Sequence, residues 1–125
     1  MTCTLTTSIA VPNITRWRIA DVNFQDSAST VQIGVVFMSA PAGGREKKIS
    51  IEISNTSAET IIKSAVATGF ADDVVRGPRI TVSGAYDRLE AAYNGGTKAA
   101  RMRNLETALA AESGIIASAL QGTIA

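Results

Sequence analysis

The sequence predicts an α+β domain, with a small antiparallel β-sheet in the N-terminal half packed with C-terminal α-helices. Three observations predict it. Up to residue 55 apolar and polar residues alternate, most cleanly in Lys48-Ile49-Ser50-Ile51-Glu52-Ile53, and a half-buried strand requires that period of two. From residue 56 onward apolar residues recur at three- and four-residue spacing in alanine-rich stretches, the period of a helix with one buried face. Turn residues separate these runs, but no repeat, low-complexity tract or linker divides them. One domain over residues 1–125 follows, strand-rich over 1–55 and helix-rich over 56–125.

The elements can be taken in order. Thr4-Leu5-Thr6-Thr7-Ser8-Ile9-Ala10-Val11 is rich in β-branched residues and stops at Pro12, which reads as an edge strand. Ile14 to Phe24 follows as a second strand, with Trp17 and Ile19 on one face and Arg16 and Arg18 on the other. Its apolar parity then slips to Val22 and Phe24, which a bulge near Ala20 or Asp21 explains. After the turn cluster Asp26-Ser27-Ala28-Ser29, residues 30–38 form a strong strand with Val31, Ile33, Val35 and Phe37 on one side. Val36 and Met38 on the other side imply cover on both faces. The loop Pro41-Ala42-Gly43-Gly44-Arg45-Glu46 joins it to the alternating run at 48–53, and two such runs around a short Gly/Pro loop make a hairpin.

In the second half, Thr56 and Glu59 have the spacing of a capping box. Ile61, Ile62, Ala65 and Val66 continue it as a helix that Gly69 is placed to end. A short strand is expected at Arg79-Ile80-Thr81-Val82-Ser83, entered through Gly77-Pro78. Tyr86, Leu89, Ala92 and Tyr93 share a helical face that Asn94-Gly95-Gly96 breaks. Thr97 is placed to cap a final helix on which Met102, Leu105, Leu109, Ile116 and Leu120 keep helical spacing, with Gly114 as an end or a bend.

Composition excludes several chemistries. Lys plus Arg number 12 and Asp plus Glu 11, giving a net charge of +1. That balance argues against nucleic acid or a membrane surface as the main partner, since both are held by concentrated positive charge. Histidine is absent and Cys3 is the single cysteine. The commonest general base, any intrachain disulfide and a structural zinc site are thereby removed. Met1-Thr2-Cys3-Thr4-Leu5 contains no basic segment before an apolar run, so no secretory signal is expected. No apolar stretch approaches the roughly 20 residues of a membrane-spanning helix. The triplets Asn13-Ile14-Thr15 and Asn55-Thr56-Ser57 are therefore read as chance rather than as glycosylation acceptors.

Four constellations could carry chemistry. Asn94-Gly95-Gly96-Thr97-Lys98 has the glycines and helix start that attract anions, but not the order of a phosphate-binding loop. It reads as a turn between helices. Arg16-Trp17-Arg18 could stack a base between phosphate contacts, yet in a strand the arginines face away from the tryptophan. Lys98, Arg101 and Arg103 crowd the start of the last helix as a charged band, where Glu106 can pair with Arg103 at i+3 spacing. Asp72-Asp73 lacks the alternating ligands of a calcium loop and reads as a turn or cap. No serine sits in Gly-x-Ser-x-Gly, and Cys3 has no histidine to activate it. No catalytic residue, cofactor or metal is expected. Trp17, Phe37, Leu105, Leu109, Ile116 and Leu120 are the candidate core-to-interface anchors, because large apolar groups dominate contact energies.

Trp17-Arg18-Ile19 leading to a β-hairpin, Ile49-Ser50-Ile51-Glu52-Ile53 as its second arm, and the Ala/Leu-rich helical ending with Gly122-Thr123 together resemble small structural proteins of tailed bacteriophages. The resemblance implies a non-enzymatic virion component that decorates the capsid, lines the neck or joins tail parts. It implies a homo-oligomer assembled in the host cytoplasm, with copies of itself and other virion proteins as partners. The rival expectation is a small nucleic-acid-binding module using Arg16, Arg18, Lys98, Arg101 and Arg103.

Overall fold

A computed structural model describes residues 2–9, 14–39, 45–55, 66 and 76–124. Their strands are β1 (Cys3–Ile9), β2 (Ile14–Gln25), β3 (Thr30–Ser39), β4 (Glu46–Ser54), β5 (Arg76–Thr81) and β6 (Gly122–Ile124). The helices are α1 (Ala85–Asn94), α2 (Arg101–Ala110) and α3 (Gly114–Leu120), with 3-10 turns at Asp26–Ala28 and Lys98–Ala100. The strands form one six-stranded sheet in the order β5-β4-β3-β2-β1-β6. This is the α+β architecture that the two periodicities predict.

The β3–β4 hairpin forms as expected, in unbroken register from Thr30 opposite Ser54 to Met38 opposite Glu46. The bulge in β2 also lies where the parity slips, since Ile19 pairs with Val35 and Asp21 with Gly34 while Ala20 is left over. All neighbours are antiparallel except β4 and β5, which run parallel. A parallel pair needs a long crossover, and the segment between residues 54 and 76 supplies it. Val66 within that segment is helical and fully buried. The expected capping box at Thr56 and Glu59, Ile61, Ile62, Ala65, Gly69, the Asp72-Asp73 pair and residues 41–44 of the loop before β4 lie outside the described residues.

One face of the sheet carries the core. Val31, Ile33, Val35 and Phe37 of β3 meet Ile49, Ile51 and Ile53 of β4, all with no exposed surface. The helices cover them with Tyr86 and Leu89 of α1, Leu105 and Leu109 of α2, and Ile116 and Leu120 of α3. Burying each such side chain contributes about 1.5–3 kcal/mol, so this single interface dominates folding.

The other face is polar and tied across β3. Arg18 Nη2 of β2 reaches Glu46 Oε1 of β4 at 3.4 Å, and Lys48 Nζ of β4 reaches Asp21 Oδ2 of β2 at 2.6 Å. Val36 and Met38 lie beneath this lattice at 7% and 6% exposure, which accounts for apolar residues on both sides of β3. Gly34 is a close-approach glycine here, because a Cβ would stand 2.5 Å from Asp21 Oδ1.

Two expectations are corrected. The Thr-rich first strand is not an edge along its whole length: β6 lies outside its first residues, with Cys3 opposite Ile124, Thr4 opposite Thr123 and Leu5 opposite Gly122. A three-residue strand gives no periodic signal, and its partner is at the other end of the chain. The final helix divides in two, as the end or bend expected at Gly114 allows. Its first part ends at Ala110, and α3 begins anew at Gly114, whose φ of +66° is open to glycine. Thr97 precedes the 3-10 turn, and its side chain makes no capping bond.

Gly122 is set by backbone contact, because a Cβ there would overlap the Thr4 carbonyl oxygen. Gly122→Ala should therefore detach β6 from β1 and lower the thermal midpoint, whereas Thr123→Ala, at an exposed position of the same strand, should leave it nearly unchanged. Thermal melts of the two variants followed by circular dichroism check this; equal midpoints would contradict it.

Candidate functional site

The strongest polar chemistry in the described residues is a buried cluster where the two chain ends meet. Trp17 of β2 has no exposed surface, and its indole Nε1 donates to the Leu120 carbonyl oxygen at the end of α3, at 3.0 Å. The Cys3 thiol donates towards the same oxygen at 3.7 Å. Beside them the Ile19 backbone N–H donates to Glu106 Oε2 at 3.1 Å. Glu106 is only 2% exposed, and a buried carboxylate needs such donors. Ile19 lies beyond the Cys3–Trp17 pair at which β1 begins, so the α2 carboxylate takes an amide on the side of β2 that β1 no longer lines.

Burial pushes the Cys3 thiol up to about 11, the neighbouring Glu106 carboxylate adds to the rise, and the Trp17 hydrogen bond opposes it. A thiol held protonated is neither a nucleophile nor a metal ligand. The cluster's hydrogen bonds fasten β1 and β2 to α3, and β2 to α2.

A second fastening holds the helical layer. Arg88 of α1 donates from Nε and Nη2 to the two oxygens of Glu112 at 2.9 and 2.7 Å, and from Nη1 to the Ser83 carbonyl at 3.0 Å. The bidentate contact with the Glu112 carboxylate, which is buried, raises the Arg88 guanidinium further above its already high range. Glu112 lies in the 111–113 loop between α2 and α3, so this fork ties that loop to α1. Asn55, just after β4, caps α1 from outside: its Oδ1 accepts the Tyr86 N–H at 3.2 Å, in place of any side-chain cap on Gly84.

Glu106, Glu112, Arg88 and Asn55 were not legible as structural groups from charge pattern alone. The pairing of Glu106 with Arg103 suggested by i+3 spacing is replaced by the inward bond to Ile19. Spacing does carry a signal for both acids. Glu106 follows Met102 by four residues, and Glu112 follows Leu109 by three. Both therefore fall on the apolar stripe, where a carboxylate must have a partner.

The six candidate anchors Trp17, Phe37, Leu105, Leu109, Ile116 and Leu120 are all at most 1% exposed. The structure brings them together as the core of one subunit, and as folded they offer no surface to a second molecule. The basic residues do not converge. Arg16 and Arg18 are on the polar face of the sheet, with Arg18 paired to Glu46. Lys98, Arg101 and Arg103 belong to the helical layer on the opposite face. The Arg101 guanidinium sits 5.6 Å over the Tyr93 ring, and the Tyr93 ring lies 5.1 Å from that of Phe24, tilted by 43°. Phe24 is six residues along β2 from Arg18, roughly 20 Å at the usual strand rise. Asn94 to Lys98 is the turn expected between helices, and Gly95 is the residue that ends α1.

Two shallow open depressions, of ≈470 and ≈500 Å³, mark the outer surface of α1 and α2. Small side chains dominate their lining, including Ala91, Ala92, Ala108 and Ala111. The only opposite charges that meet in them are Arg88 and Glu112, already bonded to each other. Among the described residues no three acidic, histidine or cysteine side chains are grouped to hold a metal ion, and no helix is long and apolar enough to cross a membrane. No family model, curated protein or solved structure matches the chain.

The raised Cys3 thiol has a signed consequence. A group whose folded value lies above its ordinary one of 9.0 favours the fold fully below that value, and its contribution is lost as pH rises through about 11. Unfolding free energy should fall between about pH 9 and 11, and Cys3→Ala should flatten that limb relative to wild type. Urea titrations across this range check it, and superimposable wild-type and variant profiles would contradict it.

Proposed function

We propose that the chain is a non-enzymatic structural component of a tailed-phage virion, acting through protein–protein interfaces in a symmetric assembly. The virion placement rests on the resemblance carried by Trp17-Arg18-Ile19, the Ile49–Ile53 arm and the helical ending. The assembly role rests on the edge of β1. That strand runs from Cys3 to Ile9, but β6 pairs only with Cys3, Thr4 and Leu5. Past the Thr6 amide, which donates to the Gln121 carbonyl at 3.0 Å, no strand lies on that side of β1 among the described residues. An unpaired strand edge is a template for another chain.

The interior supports the same reading. Several of its polar groups join elements: Trp17 and Cys3 to α3, Glu106 to β2, and Glu112 to α1. Rigid fastening of this kind suits a part that must keep its shape within a repeating array. Partners are then further copies of the chain and other virion proteins, at a capsid, neck or tail position in particles assembled in the host cytoplasm.

Purified protein should elute as a defined oligomer by size-exclusion chromatography with light scattering, or bind isolated virion components. A monomer up to millimolar concentration with no affinity for virion components would refute the assembly role.

A further inference from the structure

We propose that α3 and β6 form an exchangeable arm, which closes the β1 edge of its own subunit in the monomer and that of a second copy in the assembly. The inference deepens the assembly reading and rests on it. It names the partner as the same chain and the contact as the β1–β6 pair.

Three features make residues 114–124 separable. The first is where they pack. The segment lies chiefly on β1 and α2, and its other anchor is the Trp17 bond to Leu120. Every one of these contacts can be made by the same segment of a neighbour, because each lies between the arm and the body and none lies within the connection.

The second is the connection itself. Only residues 111–113 separate α2 from α3. The α2 end tightens, with Ala111 N–H shared between the Thr107 and Ala108 carbonyls and Glu112 N–H on Leu109. Ser113 is then extended and Gly114 left-handed at φ +66°. A short, sharply turned connection is the usual hinge of a swapped arm.

The third is the phase of the apolar stripe. Met102, Leu105, Leu109, Ile116 and Leu120 advance by three, four, seven and four residues, the spacing of one uninterrupted helix face. A sequence that needed the break would have no reason to keep phase across it. With the hinge opened into helix, residues 101–120 form a rod of about 30 Å, enough to carry β6 beyond its own subunit. Glu112 interrupts the stripe, and in the closed form Arg88 draws it aside. The fork between them is thus the latch that holds the turn.

The β1 edge fits this occupant in particular. Thr4 accepts only a glycine opposite its carbonyl, which Gly122 provides. Ile124, opposite Cys3, is partly buried against the core.

Paired cysteines test the exchange. Thr4 and Thr123 are exposed and directly opposite each other, so Thr4→Cys with Thr123→Cys, in a Cys3→Ala background, links arm to edge on oxidation. The expected result is a covalent dimer or larger ring on a non-reducing gel, at concentrations where wild type is oligomeric by light scattering. A covalent monomer from an oligomeric protein would overturn the exchange and leave the assembly role standing, whereas a covalent monomer from a monomeric protein would remove both. If no link forms, Gly114→Ala decides. A side chain penalises the left-handed turn and favours continuous helix, so the oligomer population at fixed concentration should rise roughly tenfold and helical ellipticity with it. An unchanged or reduced oligomer population in that variant would overturn the exchange.

Discussion

The hydrogen bond from the Trp17 indole to the Leu120 carbonyl is the constraint on which the rest of the structure depends. It joins β2, near the start of the chain, to the last helix, near its end. A buried indole N–H without an acceptor is costly, and so is a buried helix terminus with unsatisfied carbonyls. One bond answers both. It fixes the end of α3 over β2, and from that point the chain can turn at Gln121 and enter β6. The Cys3 thiol on the same oxygen, and Glu106 on the Ile19 amide, make the region a small buried network. Such networks specify a single arrangement when every member is satisfied.

The two faces of the sheet then divide their roles. The apolar face needs cover, and α1, α2 and α3 provide it with Leu89, Leu105, Leu109 and Leu120. The polar face is stiffened by pairs that reach over β3 to strands two apart, Arg18 to Glu46 and Lys48 to Asp21. Exposed pairs of this kind contribute little to stability. Their effect is on register, because a slip of one residue would turn the charges into the core and the isoleucines into water. In the helical layer the Arg88–Glu112 fork performs the corresponding task and sets where α2 stops.

Much of this was legible in the sequence because it is written in local periodicity. The β3–β4 hairpin, the bulge at Ala20 and the inward face of Trp17 and Ile19 all follow from alternation alone. The correction at β1 has a different origin. Whether a strand is an edge depends on what arrives from elsewhere in the chain, and Gly122-Thr123-Ile124 is too short to signal a strand. The split of the last helix was legible only as the ambiguity of Gly114, since the apolar stripe continues through it. The six large apolar anchors were recognisable as important by size, but size does not separate a core from an interface. Burial does, and it places them inside. The inward turn of Glu106 was obscured because charge spacing offered Arg103 as a partner on the surface, although the stripe spacing from Met102 pointed to the core.

The single tryptophan makes the central bond directly observable. Native-state hydrogen exchange by NMR reports the Trp17 indole N–H separately from every backbone amide. If that proton fastens the C-terminal segment to the sheet, it should exchange orders of magnitude more slowly than an exposed loop amide, through opening of the 114–124 arm or of the whole domain. Exchange at the rate of an exposed loop amide, with β3 still protected, would mean that the segment does not rest on Trp17 and would contradict the account.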